Sequence, residues 1–178
     1  MEKVYLRSLE PDDLDRTHQW HNSPALYTTM VGAFRYVSRT AEEEWLRNRL
    51  AFSNQEVNLA ICIASDSTHV GNIYLRSVDW IARHGEVAGL FIGEPEHRAK
   101  GYGTDALRLL IKHAFGDLGL LRLYAFVLER NLPIRQVLET CGFAMEGTLR
   151  RHAYKNGVFH DVLVLGLCSQ DSPRNGPK

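Results

Sequence analysis

The 178-residue sequence lacks a net charge, a cysteine framework and any long apolar segment. Its 21 lysines and arginines balance 21 aspartates and glutamates, so no global charge draws the chain toward nucleic acid or an anionic membrane. The three cysteines are an odd number and lie beside apolar runs, which favours reduced thiols over disulfides or a zinc site. The charged N-terminus and the absence of an apolar run near ~20 residues argue against a signal peptide and a membrane-spanning helix. We therefore expect a cytoplasmic protein that binds no membrane, nucleic acid or metal.

Strand and helix patterns alternate along the chain without an internal repeat or a linker. They predict one α+β domain at residues 1–168 with about four helices, followed by a flexible tail at residues 169–178. Period-two alternation predicts strands at residues 4–9, 57–64, 69–80, 86–92, 120–128, 144–154 and 161–167. Helical spacing and capping residues predict helices at residues 13–22 and 40–52, from residue 101, and at residues 131–143. The second to fourth strands are expected to form an antiparallel meander.

The segment RAKGYG, residues 98–103, stands where a strand gives way to the helix that begins near Gly101. The first N–H groups of a helix have no intrahelical acceptor, and glycine lets a ligand approach the backbone closely. With Arg98 and Lys100 beside them, these amides predict an anion site suited to a pyrophosphate. The alternative is a tight turn with two solvated cations, since the spacing fits neither a P-loop nor a dinucleotide-binding motif.

RAKGYG also resembles the pyrophosphate loop, [RQ]xxGxG/A, of the GNAT superfamily of acyl-CoA-dependent N-acetyltransferases. The segments IGEPEHRAKGYGTDALRLLIKHAF, LRLYAFVLERN and VLETCGFAMEGTLRRHAYKNGVFHDVLVLGL are similar to consecutive parts of ribosomal-protein N-terminal and spermidine acetyltransferases, and the similarity covers nearly the whole chain in order. The resemblance implies a mixed, mostly antiparallel sheet of six to seven strands, flanked by helices and splayed between its fourth and fifth strands.

The resemblance further implies acetyl-CoA as co-substrate, held by backbone groups at two places. Phe91, Ile92 and Gly93 would pair with the pantetheine arm much as an added strand does. Asn131 would bond the same arm or the surroundings of the acetyl group, although it also suits an ordinary N-cap. The pyrophosphate would lie on the amides of Arg98, Ala99, Lys100, Gly101, Tyr102, Gly103 and Thr104.

The candidate base departs from the family pattern. The glutamate that many members use as a base aligns with Val87, and Glu86 precedes it by one residue. A one-residue offset on a regular strand points a side chain to the opposite face, so Glu86 can act only if a bulge re-aims it. A solvated edge glutamate is the alternative.

The residues that would supply the general acid also depart from the family pattern. The family's tyrosine corresponds to Leu138, a serine of the ribosomal-protein enzymes corresponds to Ile134, and a glutamate between the closing strands falls at Ala153. Tyr154 is our candidate in that last segment. His152, His160 and Asp161 are alternatives, although structural hydrogen bonds that hold the neighbouring loop are the favoured explanation of the His160–Asp161 pair.

Together these features predict an enzyme that moves an acetyl group to a primary amine by direct attack in a ternary complex, because no cysteine has a histidine pattern typical of a nucleophile. The acceptor could be a protein N-terminus, a polyamine, or an amino sugar or antibiotic amine. The final strands could support a homodimer. The competing hypothesis is a non-catalytic acyl-CoA-binding module, which the missing tyrosine and the displaced Glu86 keep open.

Overall fold

The computed structural model describes residues 2–171, which form one seven-stranded sheet and five helices. Residues 172–178, most of the predicted tail, lie outside the described residues. The strands are β1 Val4–Ser8, β2 Val57–Ile63, β3 His69–Asp79, β4 His84–Ile92, β5 Arg122–Leu128, β6 Ala144–Lys155 and β7 Val158–Cys168. The helices are α1 Leu14–His21, α2 Pro24–Tyr27, α3 Arg39–Leu50, α4 Tyr102–Lys112 and α5 Leu132–Thr140.

The sheet has the order β1-β2-β3-β4-β5-β7-β6, and all neighbouring strands are antiparallel except β4 and β5. The predicted mixed, mostly antiparallel sheet and the meander of β2, β3 and β4 are therefore confirmed. The parallel pairing of β4 with β5 extends only from His84 opposite Arg122 to Glu86 opposite Tyr124. Beyond Glu86 the two strands diverge, which is the predicted splay.

Successive residues of a strand point to opposite faces of the sheet, and helices pack on both faces. On one face α4 and α5 pack on the main core, with Leu107, Leu110 and Leu138 against Ile61 and neighbouring strand residues. On the other face α3 contributes Leu46 to a smaller cluster with Ala60, and α1 contributes Trp20 to a second one. The i, i+3, i+4 spacing that predicted α4 thus marks its buried side.

Helix α2 is the element that the sequence patterns do not predict. It is a single turn, with Pro24 in its first turn and Ser23 as N-cap accepting from the Leu26 N–H at 3.3 Å. Four residues are too few to show a helical period, so only the cap and the proline could have signalled it. Among the longer helices, Ser38 caps α3 by accepting from the Ala41 N–H.

A buried polar network fastens the start of α1 to the sheet. Asp13 accepts two hydrogen bonds of 2.7 Å from Arg7 on β1 and lies 2.9 Å from Nδ1 of His69 on β3. Nε2 of His69 is 2.8 Å from Asn72 Oδ1, and the Asn72 amide donates to the Tyr74 hydroxyl at 2.9 Å. Burial alone would raise the pKa of Asp13, but the bonds from Arg7 and His69 outweigh it and hold that pKa well below its usual range.

No helix in the described part of the chain is long and apolar enough to cross a bilayer.

Candidate active site

The splay opens into a cavity of about 450 Å³, here called the splay cavity, between the diverging halves of β4 and β5. Its walls come from both strands, from Asn131, Ile134 and Leu138 at α5, from the last residue of α2 and residues 29–32 after it, and from side chains of α1, α3 and β3. The cavity exists because β4 and β5 lose their shared register after Glu86. It therefore exposes strand backbone to a ligand at the centre of the sheet.

A bulge in β4 lies on the wall of this cavity. Asn72 pairs with Phe91 whereas Tyr74 pairs with Ala88, so β4 contains one more residue than β3 between these pairs. Gly89 takes a φ of +58° there, and a Cβ on it would lie 2.3 Å from the Tyr74 ring. Glycine is therefore required at this position, both for the left-handed backbone and for contact with Tyr74. A bulge leaves its extra residue out of the ladder, which frees backbone donors beside the cavity.

The RAKGYG segment forms the concave turn that the sequence predicts. Ala99 and Gly101 both have positive φ, +58° and +86°, and Gly101 is the N-cap of α4. Alternating backbone conformations of this kind gather successive N–H groups into an anion-binding nest, to which the first turn of α4 adds three more. The Arg98 N–H is not part of it, because it donates to the carbonyl of Pro95 at 3.1 Å.

The cations beside this turn differ from those expected. The Arg98 guanidinium donates to the carbonyls of Ile92 and Gly93, at 3.1 and 2.7 Å, so it fixes the end of β4 onto the turn. Lys3, which sequence reasoning missed, reaches the same turn from just before β1 and donates to the Lys100 carbonyl at 2.9 Å. Lys3 is 97 residues away in sequence from Lys100, and only the sheet brings the two together.

The end of β4 is shaped by the indole of Trp20. A Cβ on Gly93 would lie 2.1 Å from two ring atoms of Trp20, although the backbone of Gly93 does not require positive φ. Trp20 Nε1 donates to Glu94 at 3.0 Å, and its ring packs edge-on against Phe91 at 5.4 Å. Residues 91–93, the predicted pantetheine strand, are thus held against α1 by one buried side chain.

Glu86 lines the splay cavity, on the face opposite to that of Val87, which is buried in the main core. Its carboxyl is half-buried, and burial raises its pKa, an effect that the positive charge of Arg76 partly offsets. Arg76 is its direct partner in the β3–β4 register. The offset that the sequence shows therefore turns Glu86 toward the cavity, and the adjoining bulge lies on β3, where two residues between Arg76 and Asp79 oppose one residue of β4.

Asn131 joins the cavity wall to the loop after α2. Its side chain accepts from the Ile134 N–H at 3.4 Å as the N-cap of α5, and it donates to the Thr29 carbonyl at 2.8 Å. Lys155 reinforces this loop by donating to the carbonyls of Tyr27, at 2.9 Å, and Gly32. Asn131 thus combines the predicted cap with a second contact across the cavity.

On the side of α1 and α3, His21 lies on the cavity wall and is paired with Glu42. The Glu42 carboxylate has no exposed surface and lies 2.8 Å from Nδ1 of His21, whose ring stacks edge-on against Trp45. His21 and Trp45 both line the splay cavity. The sequence pattern of three acids at residues 42–44 is typical of a solvated first helical turn. Only the folded structure shows that Glu42, the first of the three, is buried.

The remaining predicted residues divide between the cavity wall and positions outside it. Tyr154 is 59% exposed and packs against Phe159, outside the set of residues that line the cavity. Asp161 accepts from the Arg151 N–H at 2.7 Å, which is the structural alternative for the His160–Asp161 pair. His152 does line the cavity, and so do the apolar side chains of Ile134 and Leu138, the positions at which the resemblance implied a serine and a tyrosine. The β6 backbone is irregular between Leu149 and Ala153, so alternation could not predict which of these side chains face inward.

A family model described as acetyltransferase (GNAT) domain matches residues 3–144. The chain belongs to the GNAT acetyltransferase family. YjcK of Bacillus subtilis (strain 168), provisionally named an N-acetyltransferase, is 36% identical over 118 residues, which are 66% of this chain and 65% of YjcK. YdaF of the same organism, provisionally named a ribosomal N-acetyltransferase, is 30% identical over 96% of this chain and 93% of its own.

Among solved structures, the spermidine N-acetyltransferase from Vibrio cholerae in complex with CoA and spermine matches with a TM-score of 0.87 and 25% identity. The match covers 96% of this chain and 98% of the Vibrio chain. The predicted GNAT resemblance is confirmed, together with both of its named branches and the splayed fold. This GNAT protein is an acetyl-CoA-dependent N-acetyltransferase, and nothing supports the non-catalytic alternative.

Proposed function

We propose that this GNAT enzyme transfers the acetyl group of acetyl-CoA to the primary amine of a small molecule that enters the splay cavity. The observation that carries the proposal is the convergence of three features on that cavity. These are the open edge of β4, the bulge at Gly89, and the half-buried carboxyl of Glu86. A cavity of about 450 Å³ suits a small acceptor rather than a folded protein surface.

Acetyl-CoA would bind along β4 and the turn that follows it. The amides of residues 99–104 would hold the pyrophosphate, with Lys3 and Lys100 adding charge, and residues 91–93 would pair with the pantetheine arm. Arg98 does not contact the pyrophosphate in this proposal, because its N–H donates to the Pro95 carbonyl and its guanidinium holds the carbonyls of Ile92 and Gly93. Asn131 closes the cavity beside the acetyl group.

Glu86 is the proposed base. An alkyl amine of pKa about 10.4 is roughly a thousandfold protonated near pH 7.4, so presenting it neutral costs about 4 kcal/mol. Burial raises the pKa of Glu86 toward the working pH, which makes its carboxylate a better proton acceptor than an ordinary surface glutamate. The amine nitrogen then bonds to the thioester carbon, the C–S bond breaks, and the amine's proton passes to Glu86 and on to water.

Backbone N–H groups at the Gly89 bulge are the proposed donors for the oxygen that becomes negative during attack. The CoA sulfur leaves with the C–S electron pair. A thiol of pKa about 8.5 is released as thiolate at pH 7.5 at a cost of only about 1.4 kcal/mol, so solvent can protonate it. Apolar Ile134 and Leu138 are compatible with this proposal, which assigns no acid to Tyr154.

The test is acetyl-CoA-dependent thiol release with a panel of primary amines, supported by mass spectrometry of the products. We expect amine-dependent release, an N-acetylated product and no acetylated enzyme, because none of the three cysteines lines the cavity. Tight acetyl-CoA binding with no amine-dependent release from any member of a broad panel would reject the proposal.

Further expectations remain predictions with their own tests. They are a domain boundary near residue 168 with a flexible tail, a cytoplasmic location, a homodimer through β6 and β7, and independence of metal. Residues 2–171 contain no cluster of three or more histidine, cysteine or acidic side chains arranged for a metal. Dialysis against a chelator, followed by the thiol-release assay, tests metal independence, and light scattering tests the dimer.

A further inference from the structure

Arg76 is a partly buried cation in the wall of the splay cavity. It lies on β3, its guanidinium carbon is 4.8 Å from the centre of the Tyr74 ring, and its register partner across the ladder is Glu86. The bulge on β4 fixes the position of Tyr74, because Gly89 lies directly against that ring. Arg76 is therefore held in place by stacking.

No hydrogen bond or ion pair satisfies Arg76 within residues 2–171. Its Nε is inaccessible to solvent and has no hydrogen-bond partner, and Glu86 is not within ion-pair distance despite the shared register. Arg49, the other arginine of the cavity wall, differs because it is ion-paired with Glu56. Burial lowers the pKa of Arg76, and the positive charge of Arg49 lowers it further.

Arg76 is only partly buried, but its Nε has lost hydration that no protein group replaces, which weakens the folded state. The simplest reason for such a group in a protein is a ligand that supplies its missing hydrogen-bond acceptors. Guanidinium groups match the geometry of carboxylates and phosphates, with two parallel N–H donors for two oxygens. The stacked ring of Tyr74 would hold the guanidinium plane ready for such a ligand.

We propose that Arg76 binds an anionic group of the acceptor, so that the substrate of this enzyme is a primary amine that also carries a carboxylate or phosphate. The proposal rests on the proposed function, since it assigns the acceptor of the same cavity. Glu86 and Arg76 would then recognise the two ends of one molecule. Directly opposed strand residues have Cβ atoms about 5 Å apart, which suits amino acids, short aminoalkyl acids and amino-sugar phosphates.

This assignment distinguishes the chain from the spermidine N-acetyltransferase that it resembles in fold. A polyamine presents only positive charge, which the unpaired Arg76 would repel. An unpaired arginine beside one glutamate on the cavity wall thus favours an acceptor of mixed charge over a polycation.

Matched amine pairs test the inference. 4-Aminobutyrate is compared with butylamine, and glucosamine 6-phosphate with glucosamine, so that the two arms separate carboxylate from phosphate. We expect kcat/KM to be at least about tenfold higher for the anionic member of one pair, equivalent to about 1.4 kcal/mol. Spermidine should be a poorer acceptor than that anionic member.

Arg76→Gln should reduce the preferred pair's ratio to about one, and Arg76→Lys should retain part of the preference. The control is Arg150→Gln, at an exposed position of β6 outside the cavity wall, which should keep the wild-type ratio. Thermal unfolding provides a second measurement. Arg76→Gln should melt at the wild-type temperature or above it, because replacing an unpaired arginine removes no hydrogen bond or ion pair from the folded state. If Arg76 had a structural role, the same substitution would lower the melting temperature.

Binding is measured in parallel with CoA in place of acetyl-CoA, as the shift in melting temperature that each amine produces. This arm reports anion recognition even if no amine is turned over, so failure of the proposed function and failure of this inference are distinguishable. Equal shifts and equal kcat/KM within both pairs, or spermidine as the best acceptor, would overturn the inference and leave the acetyl-transfer proposal standing.

Discussion

Replacing Gly93 by alanine is the sharpest test of how α1 and β4 together shape the cofactor site. The added Cβ would lie 2.1 Å from Cε2 and Nε1 of Trp20, where ordinary contacts need about 3.4 Å or more. The indole is 2% exposed and packs against Phe91 and His69, so it has little room to move away. Overpacking of a rigid core costs about 1–3 kcal/mol, and losing the bond from Trp20 to Glu94 adds about 1.5 kcal/mol.

We therefore expect Gly93→Ala to lower the free energy of unfolding by about 3 kcal/mol, or the melting temperature by about 6–12 °C. Urea unfolding followed by tryptophan fluorescence measures the first quantity. Because residue 93 ends the proposed pantetheine strand, calorimetry should also show acetyl-CoA binding weakened by about tenfold.

The control is Gly147→Ala on β6, where an added Cβ meets no atom within 4 Å. It should change stability by less than about 1 kcal/mol and leave acetyl-CoA binding unaltered. If the clash is with the indole, Gly93→Ala should cost much less in a Trp20→Leu background than in the wild type. Equal stability of the Gly93→Ala and Gly147→Ala proteins would refute the reasoning, and full additivity with Trp20→Leu would locate the strain elsewhere.

Three further predictions concern the cavity and the network behind it. Glu86→Gln should lower kcat by about 10²–10⁴-fold. Because burial raises the pKa of Glu86, its ionised carboxylate destabilises the folded state. Calorimetric scans should therefore show a higher melting temperature for the variant than for the wild type at alkaline pH, and equal melting temperatures near pH 4. Gly89→Ala should lower both stability and kcat, since φ is +58° and Tyr74 occupies the space; a soluble, fully active variant would contradict the assigned bulge. Asp13→Asn should cost about 3 kcal/mol or more at pH 7, by loss of the charge paired with Arg7. Because the folded pKa of Asp13 is lowered, that difference should shrink as pH falls below about 4, and a pH-independent difference would disprove the linkage.

The pH profile of the reaction follows from the same chemistry. Leu138 occupies the position at which the resemblance implied a tyrosine acid, and the departing thiolate is stable enough to leave without such an acid. We expect kcat/KM to rise with pH as the base and the amine lose protons, without a descending limb below about pH 9.

Local sequence patterns were sufficient for the elements that frame the site. The spacing of Leu107, Leu110 and Ala114 marks the buried face of α4, and Asn131 with Pro133 marks the start of α5, because caps and helical periods act over a few residues. Strand alternation likewise identified all seven strands to within a few residues of their bounds.

Positions that depend on register were predicted less well. Glu86 faces the cavity because successive residues of β4 alternate around Val87, and the adjoining bulge lies on β3 after Arg76 rather than on β4. Tyr154 was expected near the acetyl group, but the irregular pairing of β6 with β7 between Leu149 and Ala153 leaves it exposed. A one-residue change of register reverses the face of every later side chain, so small local irregularities decide which residues meet a ligand.

By itself, the sequence determined the class of fold, the glycine turn before α4 and the caps of the helices, since each depends on neighbours a few residues apart. Only the tertiary structure decided that Lys3 reaches the turn at Lys100, that Trp20 packs on Gly93, and that Arg76 stands unpaired opposite Glu86. These contacts join segments that are far apart in the chain. Their geometry follows from strand pairing and close packing, which have no signature within a short stretch of sequence.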